Sequence, residues 1–299
     1  MKQVGVLLST YNGAAHLGEL LQSIKCQVEV EPRLVVRDDG STDRTRELVA
    51  QFAGPMVDRI VAGEHIGVPA SYFELLKATA GDYDYVAFCD QDDVWLPRKL
   101  AAALARLETC QERPTLYCGG LLITNSDLEI IGRTNNPRRA PSFGNALVEN
   151  IALGPTIVLN SSAHRLIAEH LPHFAVMHDA WCYLVCSAWG TVILDDNDYV
   201  LYRQHAQNHV GLDRNYAVRL KRLATVRAGS YLREQRAQAR EFIQCFDTAH
   251  LNPEDQRLLL RFAASHQHLF ERAAWFVNRR VFRQRRLDDL ALRIMLALR

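Results

Sequence analysis

The stretch that most constrains this chain reads Tyr85-Val86-Ala87-Phe88-Cys89-Asp90-Gln91-Asp92-Asp93-Val94-Trp95. Tyr85 to Cys89 is a short apolar run of aromatic and β-branched character, which predicts a buried strand. Three carboxylates follow it within four positions: Asp90, Asp92 and Asp93. Negative charge gathered at the end of a buried strand is costly unless a positive group joins it. Oxygen donors of this kind suit Mg²⁺ or Mn²⁺, and such an ion usually brings substrate phosphates with it. In open α/β sheets ligands bind beyond the carboxyl ends of the strands, where this cluster falls. The plain alternative is a solvated acidic turn ahead of a helix that begins near Pro97.

The residues before this stretch alternate between strand and helix patterns. Val4 to Leu8 predicts a first strand, left through the turn Ser9-Thr10-Tyr11-Asn12-Gly13, and Leu17, Leu20, Leu21 and Ile24 mark one helix face. Arg33 to Arg37 predicts a second strand ending in Asp38-Asp39-Gly40-Ser41-Thr42-Asp43, with Ser41 or Thr42 placed to cap the next helix. Arg59 to Ala62 is a weaker strand, and Gly67 to Ala78 a helix carrying Val68, Tyr72, Leu75 and Leu76. This alternation implies parallel strands with right-handed crossovers. Neither a G-x-G-x-x-G turn nor a Walker lysine loop is present. The polar residues sit instead at three strand ends, Thr10-Tyr11-Asn12, Asp38-Asp39 and Asp90 to Asp93, which would together line one cleft.

These three clusters, in this order and spacing, resemble the family 2 glycosyltransferases of the GT-A fold. The resemblance covers about the first 110 residues and implies a Rossmann-like mixed α/β sheet and a nucleotide-sugar donor. It implies that Thr10, Tyr11, Asn12 and Asp38 or Asp39 contact the nucleoside. Asp90 would lie near ribose or metal, Asp92 would be the chief ligand of Mg²⁺ or Mn²⁺, and Gln91, Asp93 and Trp95 would line the substrate site.

Farther on, Tyr117 to Ile123, Leu128 to Ile131 and Gly154 to Asn160 predict strands, and the basic segment from Arg133 to Pro141 a loop. Met177-His178-Asp179-Ala180-Trp181 then opens a helical pattern that runs to Trp189. Asp179 could be only an N-cap, worth about 0.5–2 kcal/mol. It could equally accept the proton of a hydroxyl nucleophile, which attacks poorly unless that proton is taken as the bond forms. In the resemblance, the aspartate here is the base of an inverting displacement, with His178 and Trp181 at the substrate. The later run Tyr202-Arg203-Gln204-His205, ending in Asn208-His209-Val210-Gly211, resembles a narrower branch of bacterial rhamnosyltransferases that build lipopolysaccharide and related glycans. That branch implies dTDP-β-L-rhamnose as donor, a lipid-linked glycan as acceptor, Arg203 at the diphosphate and His205 as a further metal ligand. Ala180 stands where the branch commonly has a bulkier aromatic, which alters the expected acceptor pocket.

From Asp213 the composition turns helical, over Tyr216 to Phe246, Pro253 to Trp275 and Val281 to Leu298. This predicts a catalytic unit over 1–212, with a donor half (1–110) and an acceptor half (111–212), and a helical appendage over 213–299. Arg279, Arg280, Arg283, Arg285 and Arg286 cluster with Trp275, Phe276 and Phe282. That pattern fits either a solvated helix face or an amphipathic element for an anionic membrane surface. The net charge of +1 gives no whole-chain case for nucleic-acid binding. Seven cysteines without a C-x-x-C pair predict free thiols in a reduced compartment. No stretch reaches the roughly 20 apolar residues that span a bilayer. Met1 to Leu8 does not read as a signal peptide. The expected location is therefore cytoplasmic, at most peripheral on the cytoplasmic face of the inner membrane. A nucleotidyltransferase is disfavoured because no glycine-rich phosphate loop follows the first strand, and a noncatalytic sugar-nucleotide-binding scaffold remains the other rival.

Overall fold

A computed structural model describes residues 1–110, 112–134, 137, 139–204, 227–264 and 269–298. Its first half is a parallel sheet built from β1 (Lys2–Thr10), β2 (Val30–Asp38), β3 (Val57–Ala62) and β4 (Tyr85–Asp90), in the order β3-β2-β1-β4. The crossovers are α1 (Leu17–Lys25), α2 (Thr45–Ala53) and α3 (Val68–Ala78). Alternation along the strands explains why both faces are covered. Val4, Val6 and Leu8 pack with Leu20, Leu21 and Ile24 on one side, while Leu7, Val35, Val86 and Phe88 pack with Tyr72, Leu75 and Leu76 on the other. Strands buried on both faces read as continuous apolar runs, as the cores of β1, β2 and β4 do, whereas β3 is a largely exposed edge strand.

The second half makes the sheet mixed. β8 (Val158–Asn160) inserts antiparallel between β4 and β6 (Thr115–Thr124), and β9 (Thr191–Arg203) runs parallel to β6. β5 (Val94–Trp95) closes the far edge against β9, and β7 (Ile130–Arg133) forms a hairpin with β6. One expectation changes here. Gly154–Thr156 is a turn of 3-10 helix, so only the last three residues of the predicted strand join the sheet. β9 runs unbroken from Thr191 to Arg203, accommodated by register shifts around Gly119 and Gly120 of β6.

The remaining helices are α4 (Lys99–Leu107), α5 (Phe143–Ala146), α6 (Ser161–Glu169), α7 (His178–Trp189), α8 (Arg227–Cys245), α9 (Pro253–Ala263), α10 (Leu269–Val277) and α11 (Arg286–Leu298). Trp181 to Cys186 of α7 are all buried, the mark of a helix enclosed on every side. Phe242 of α8 packs against Phe143, Trp181 and Phe246, with ring centroids 5.8, 6.0 and 4.7 Å apart. Trp275, Leu292 and Leu296 of α10 and α11 belong to the same apolar cluster as Phe88 of β4. The C-terminal helices thus complete the core of the sheet unit. The predicted division near residue 212, and the run from His205 to Gly211, lie outside the described residues. All seven cysteines are free, and no described helix is long and apolar enough to cross a membrane.

Candidate active site

The carboxyl ends of β1, β2 and β4 lie side by side, Thr10 opposite Asp38 and Ser9 opposite Asp90. The β2 end is built by its own aspartates. Asp38 accepts from Thr10 Oγ1 at 3.2 Å and Ser41 N at 3.1 Å, and lies 3.7 Å from Arg46. Asp39 accepts from Ile66 N and Gly67 N, both at 2.9 Å, and pairs with Arg37 and, at 2.8 Å, with His65. Burial alone would raise its carboxyl, but the Ile66 amide, the Arg37 guanidinium and the Gly67 amide bring it below the usual range. Both carboxylates are buried and fully engaged. They tie together the turns that follow β1, β2 and β3.

Two rings are exposed at this end. Tyr11 is solvent-accessible, and its ring lies 4.2 Å from that of His65, tilted by 34°. Asn12, with φ of 49°, is spent on the turn: its N–H donates to Ser41 Oγ and its Oδ1 accepts from Thr42 N, both at 2.9 Å. Ser41 and Thr42 therefore hold the β1 turn instead of capping α2, whose first residue, Thr45, donates its N–H to Asp43 at 3.0 Å. Gln91 clamps Tyr11 on both sides, accepting from its N at 2.9 Å and donating to its O at 3.1 Å. Any Cβ on Gly13 would sit 2.2 Å from Gln91 Oε1, so the clamp requires glycine there.

At the end of β4, Asp90 Oδ1 accepts from Tyr72 OH at 2.9 Å, and the same hydroxyl donates to Cys89 O at 2.6 Å. Burial, then the Asp92 charge, pushes the Asp90 carboxyl up to about 7 against the bond from Tyr72, with Asp179 adding to the rise. Asp179 is therefore near enough for its charge to reach Asp90. It occupies the first turn of α7, whose N-cap is Met177, and accepts from Ala180 N at 2.7 Å and Gly154 N at 3.0 Å. Burial raises its carboxyl to about 6, tempered by those two amides and by Asn150. The His178 ring stacks on Tyr72 at 3.9 Å and meets Phe88 edge-on at 5.0 Å. Asp90, Tyr72, His178 and Asp179 consequently form one connected group that spans both halves of the sheet.

Four expected substrate contacts turn inward. Trp95 is buried under Lys99, whose Nζ lies 3.5 Å over its ring, and Trp181 is buried beside Phe242 and Phe246. Asp93 is fully buried and accepts from Arg203 N at 3.3 Å. His178 is buried too, with burial driving its imidazole down to about 3, so it packs as a neutral ring. Arg203, expected at the diphosphate, is buried as well. Its side chain donates to Asp92 O at 3.1 Å and to Ser126 O, and pairs with Glu19. It fixes the loop carrying Asp92 from below. His205 lies outside the described residues. Sequence reasoning did not single out His65, Gln91 as a clamp, or Tyr72 as the link to Asp90. Tyr72 registered only as one more apolar position on α3, and His65 follows no motif.

The donor set suits a hard cation. The charges that reach Asp90, from Asp92 and Asp179, share its own sign, and Asp93 Oδ2 is buried without a hydrogen-bond partner. No cluster of three or more His, Cys, Asp or Glu side chains in ligating array exists among the described residues.

Comparison with known proteins follows this geometry. Residues 5–181 match the family model for Glycosyl transferase family 2. The chain is 27% identical over 241 residues to the dTDP-rhamnosyl transferase RfbG of Shigella flexneri, covering 76% of this chain and 81% of that one. It is 24% identical over 195 residues to the UDP-Glc:alpha-D-GlcNAc-diphosphoundecaprenol beta-1,3-glucosyltransferase WfgD of Escherichia coli, covering 65% and 71%. Among solved structures, S. aureus TarS in complex with UDP-GlcNAc superposes with a TM-score of 0.59 at 18% identity, over 93% of this chain and 79% of that one. The fold is GT-A. With most of the sheet, the three strand-end clusters and Asp179 inside the matched span, the chain belongs to glycosyl transferase family 2.

Proposed function

We propose that this glycosyltransferase moves a sugar from a nucleoside diphosphate to an acceptor hydroxyl with inversion at the anomeric carbon. The observation that carries the reading is the placement of Asp179, a buried carboxylate oriented by two backbone amides, within electrostatic reach of the Asp90 cluster. A base and a donor-holding end thus share one focus. Tyr11 and His65 stack on the nucleobase, and the loops built by Asp38, Asp39 and Asn12 hold the ribose. Asp92 and Asp90 would hold Mg²⁺ or Mn²⁺, which when bound stabilises negative charge on the departing diphosphate. Asp179 takes the acceptor proton as the new bond forms.

The donor is dTDP-β-L-rhamnose, which inversion converts to an α-linked product. Support comes from the similarity to RfbG and from the Tyr202-Arg203-Gln204-His205 run. The acceptor is a lipopolysaccharide core or other lipid-linked glycan, which places the reaction at the cytoplasmic face of the inner membrane. The second reading, a UDP-sugar donor, rests on the similarity to WfgD. A donor panel separates them: dTDP-rhamnose, UDP-sugars and GDP-sugars with Mg²⁺ or Mn²⁺, scored by released nucleoside diphosphate and by binding titration. Selective metal-dependent turnover or binding of dTDP-rhamnose is expected. Preference for a UDP-sugar overturns the rhamnose assignment, and no binding of any sugar nucleotide overturns the donor class.

A further inference from the structure

Helix α11 is apolar on two opposite faces. Leu292 and Leu296 are buried in the core, with Met295 packed beside them. On the other side Leu287, Leu290, Ile294 and Leu298 are 54%, 48%, 42% and 69% exposed. Spacings of three, four and four residues put these four on one line along the helix, about 16 Å long at 1.5 Å per residue. Phe276 and Val277, exposed at the end of α10, extend the surface. Arg293 fastens that end to α11 by donating to Phe276 O at 2.9 Å and Asn278 O at 2.7 Å.

The core accounts for one of these two stripes, and the outer one is exposed. Contiguous exposed apolar surface of this kind marks an interaction site, unlike scattered single residues. Its rim is basic: Arg279, Arg285 and Arg286 are exposed. The nearby acids are occupied, Asp289 by Arg293 at 3.0 Å, Asp255 by Arg280 at 2.8 Å, Glu254 also by Arg280, and Asp288 by burial. Two expected members leave the rim. Arg283 turns inward to Glu149 at 3.5 Å, and Arg280 holds α9.

We propose that this face lays α11 on an anionic lipid surface, its outer leucines in the acyl boundary and its arginines among the lipid phosphates. A second copy of the chain is the poorer occupant. An isologous contact through this patch would bring the same arginines together. The inference stands on α10 and α11 alone and does not depend on the donor or acceptor.

Co-sedimentation of the full chain with vesicles of phosphatidylcholine, with and without phosphatidylglycerol, tests it. The chain is expected to bind the anionic vesicles, and to bind them less at high salt. A Leu290→Gln/Ile294→Gln variant should lose at least tenfold in partitioning, and Arg285→Glu/Arg286→Glu should lose the preference for anionic lipid. Both variants alter exposed side chains, so their melting temperatures should match wild type. Equal binding to neutral and anionic vesicles, or wild-type binding by the leucine variant, overturns the proposal. So does a concentration-dependent dimer that the leucine variant abolishes in protein that ignores vesicles.

Discussion

At Asp179 two opposing influences set the reactivity of one carboxylate. Burial raises its proton affinity, while the amides of Ala180 and Gly154 restrain the rise at about 6. A base in that range is ionised at neutral pH yet still accepts a proton readily. Activity should therefore climb as pH rises through about 6 and level off above it, a limb visible in kcat/KM. Asp179→Asn should retain donor affinity and lose about 10²–10⁴ in turnover, measured by single-turnover kinetics beside calorimetric donor binding; equal loss of both would remove the base role. Asp90 answers to a different balance. Its folded-state carboxyl is raised to about 7 from 3.8 by burial and by Asp92, so ionising it costs the folded protein more than the unfolded chain. That cost is absent while the group stays protonated in both states and grows as pH rises towards and through 7. Asp90→Asn keeps an acceptor for Tyr72 OH and removes the charge. Without metal it should raise the melting temperature by a few degrees, at about 2–4 °C per kcal/mol for a large domain, and by more at pH 8 than at pH 5. The reverse order would show that a cation or another partner already neutralises Asp90.

The turn after β1, part of the proposed donor end, is held from outside itself. Its backbone finds Gln91, Ser41 and Thr45 as partners, at 2.9 Å each, instead of forming a self-contained loop. Removing the two Gln91 bonds costs about 1–3 kcal/mol. Gln91→Ala should accordingly weaken donor binding roughly tenfold, at 1.4 kcal/mol per decade, and Gly13→Ala should do the same by expelling the Gln91 amide. Comparable donor affinity in all three proteins would dissociate the clamp from the site. This dependence also explains what the sequence could and could not disclose. The β1 to β4 alternation was legible because each strand and helix carries its own apolar period, and the three strand ends were legible because polar residues interrupt that period. Asp38 and Asp39 look interchangeable in the chain, yet one faces Thr10 and the other Arg37 and the Ile66 and Gly67 amides, a distinction made by the neighbouring loop. Trp95, Trp181 and Asp93 lie within or beside motif positions, but the packing of α4, α8 and β9 buries them. Tyr72 was indistinguishable from its leucine neighbours because its hydroxyl meets Asp90 only when α3 docks on β4.

For the whole molecule, the C-terminal helices decide whether one unit or two exists. Asn145 of α5 is buried and donates to Phe282 O at 2.9 Å, while its Oδ1 accepts from Tyr183 OH of α7 at 2.8 Å. A Cβ on Gly144 would lie 2.2 Å from Arg280 O, so the segment before α11 presses directly against α5. Helix α7, which carries Asp179 in its first turn, is covered by Phe242 and Phe246, and their cluster continues unbroken to Leu292. A separable appendage would melt without disturbing Asp179, whereas in this packing unpacking α8 uncovers Trp181, two residues after Asp179. Phe242→Ala should cost about 3–5 kcal/mol, and Gly144→Ala about 1–3 kcal/mol through overpacking. Both losses should register alike in a denaturant titration followed by tryptophan fluorescence and by far-ultraviolet circular dichroism. Coincident transitions, with activity lost in the same interval, are expected for one cooperative unit. A helical transition that precedes the loss of activity would instead make the C-terminal helices an independent domain, and would release the position of Asp179 from their packing.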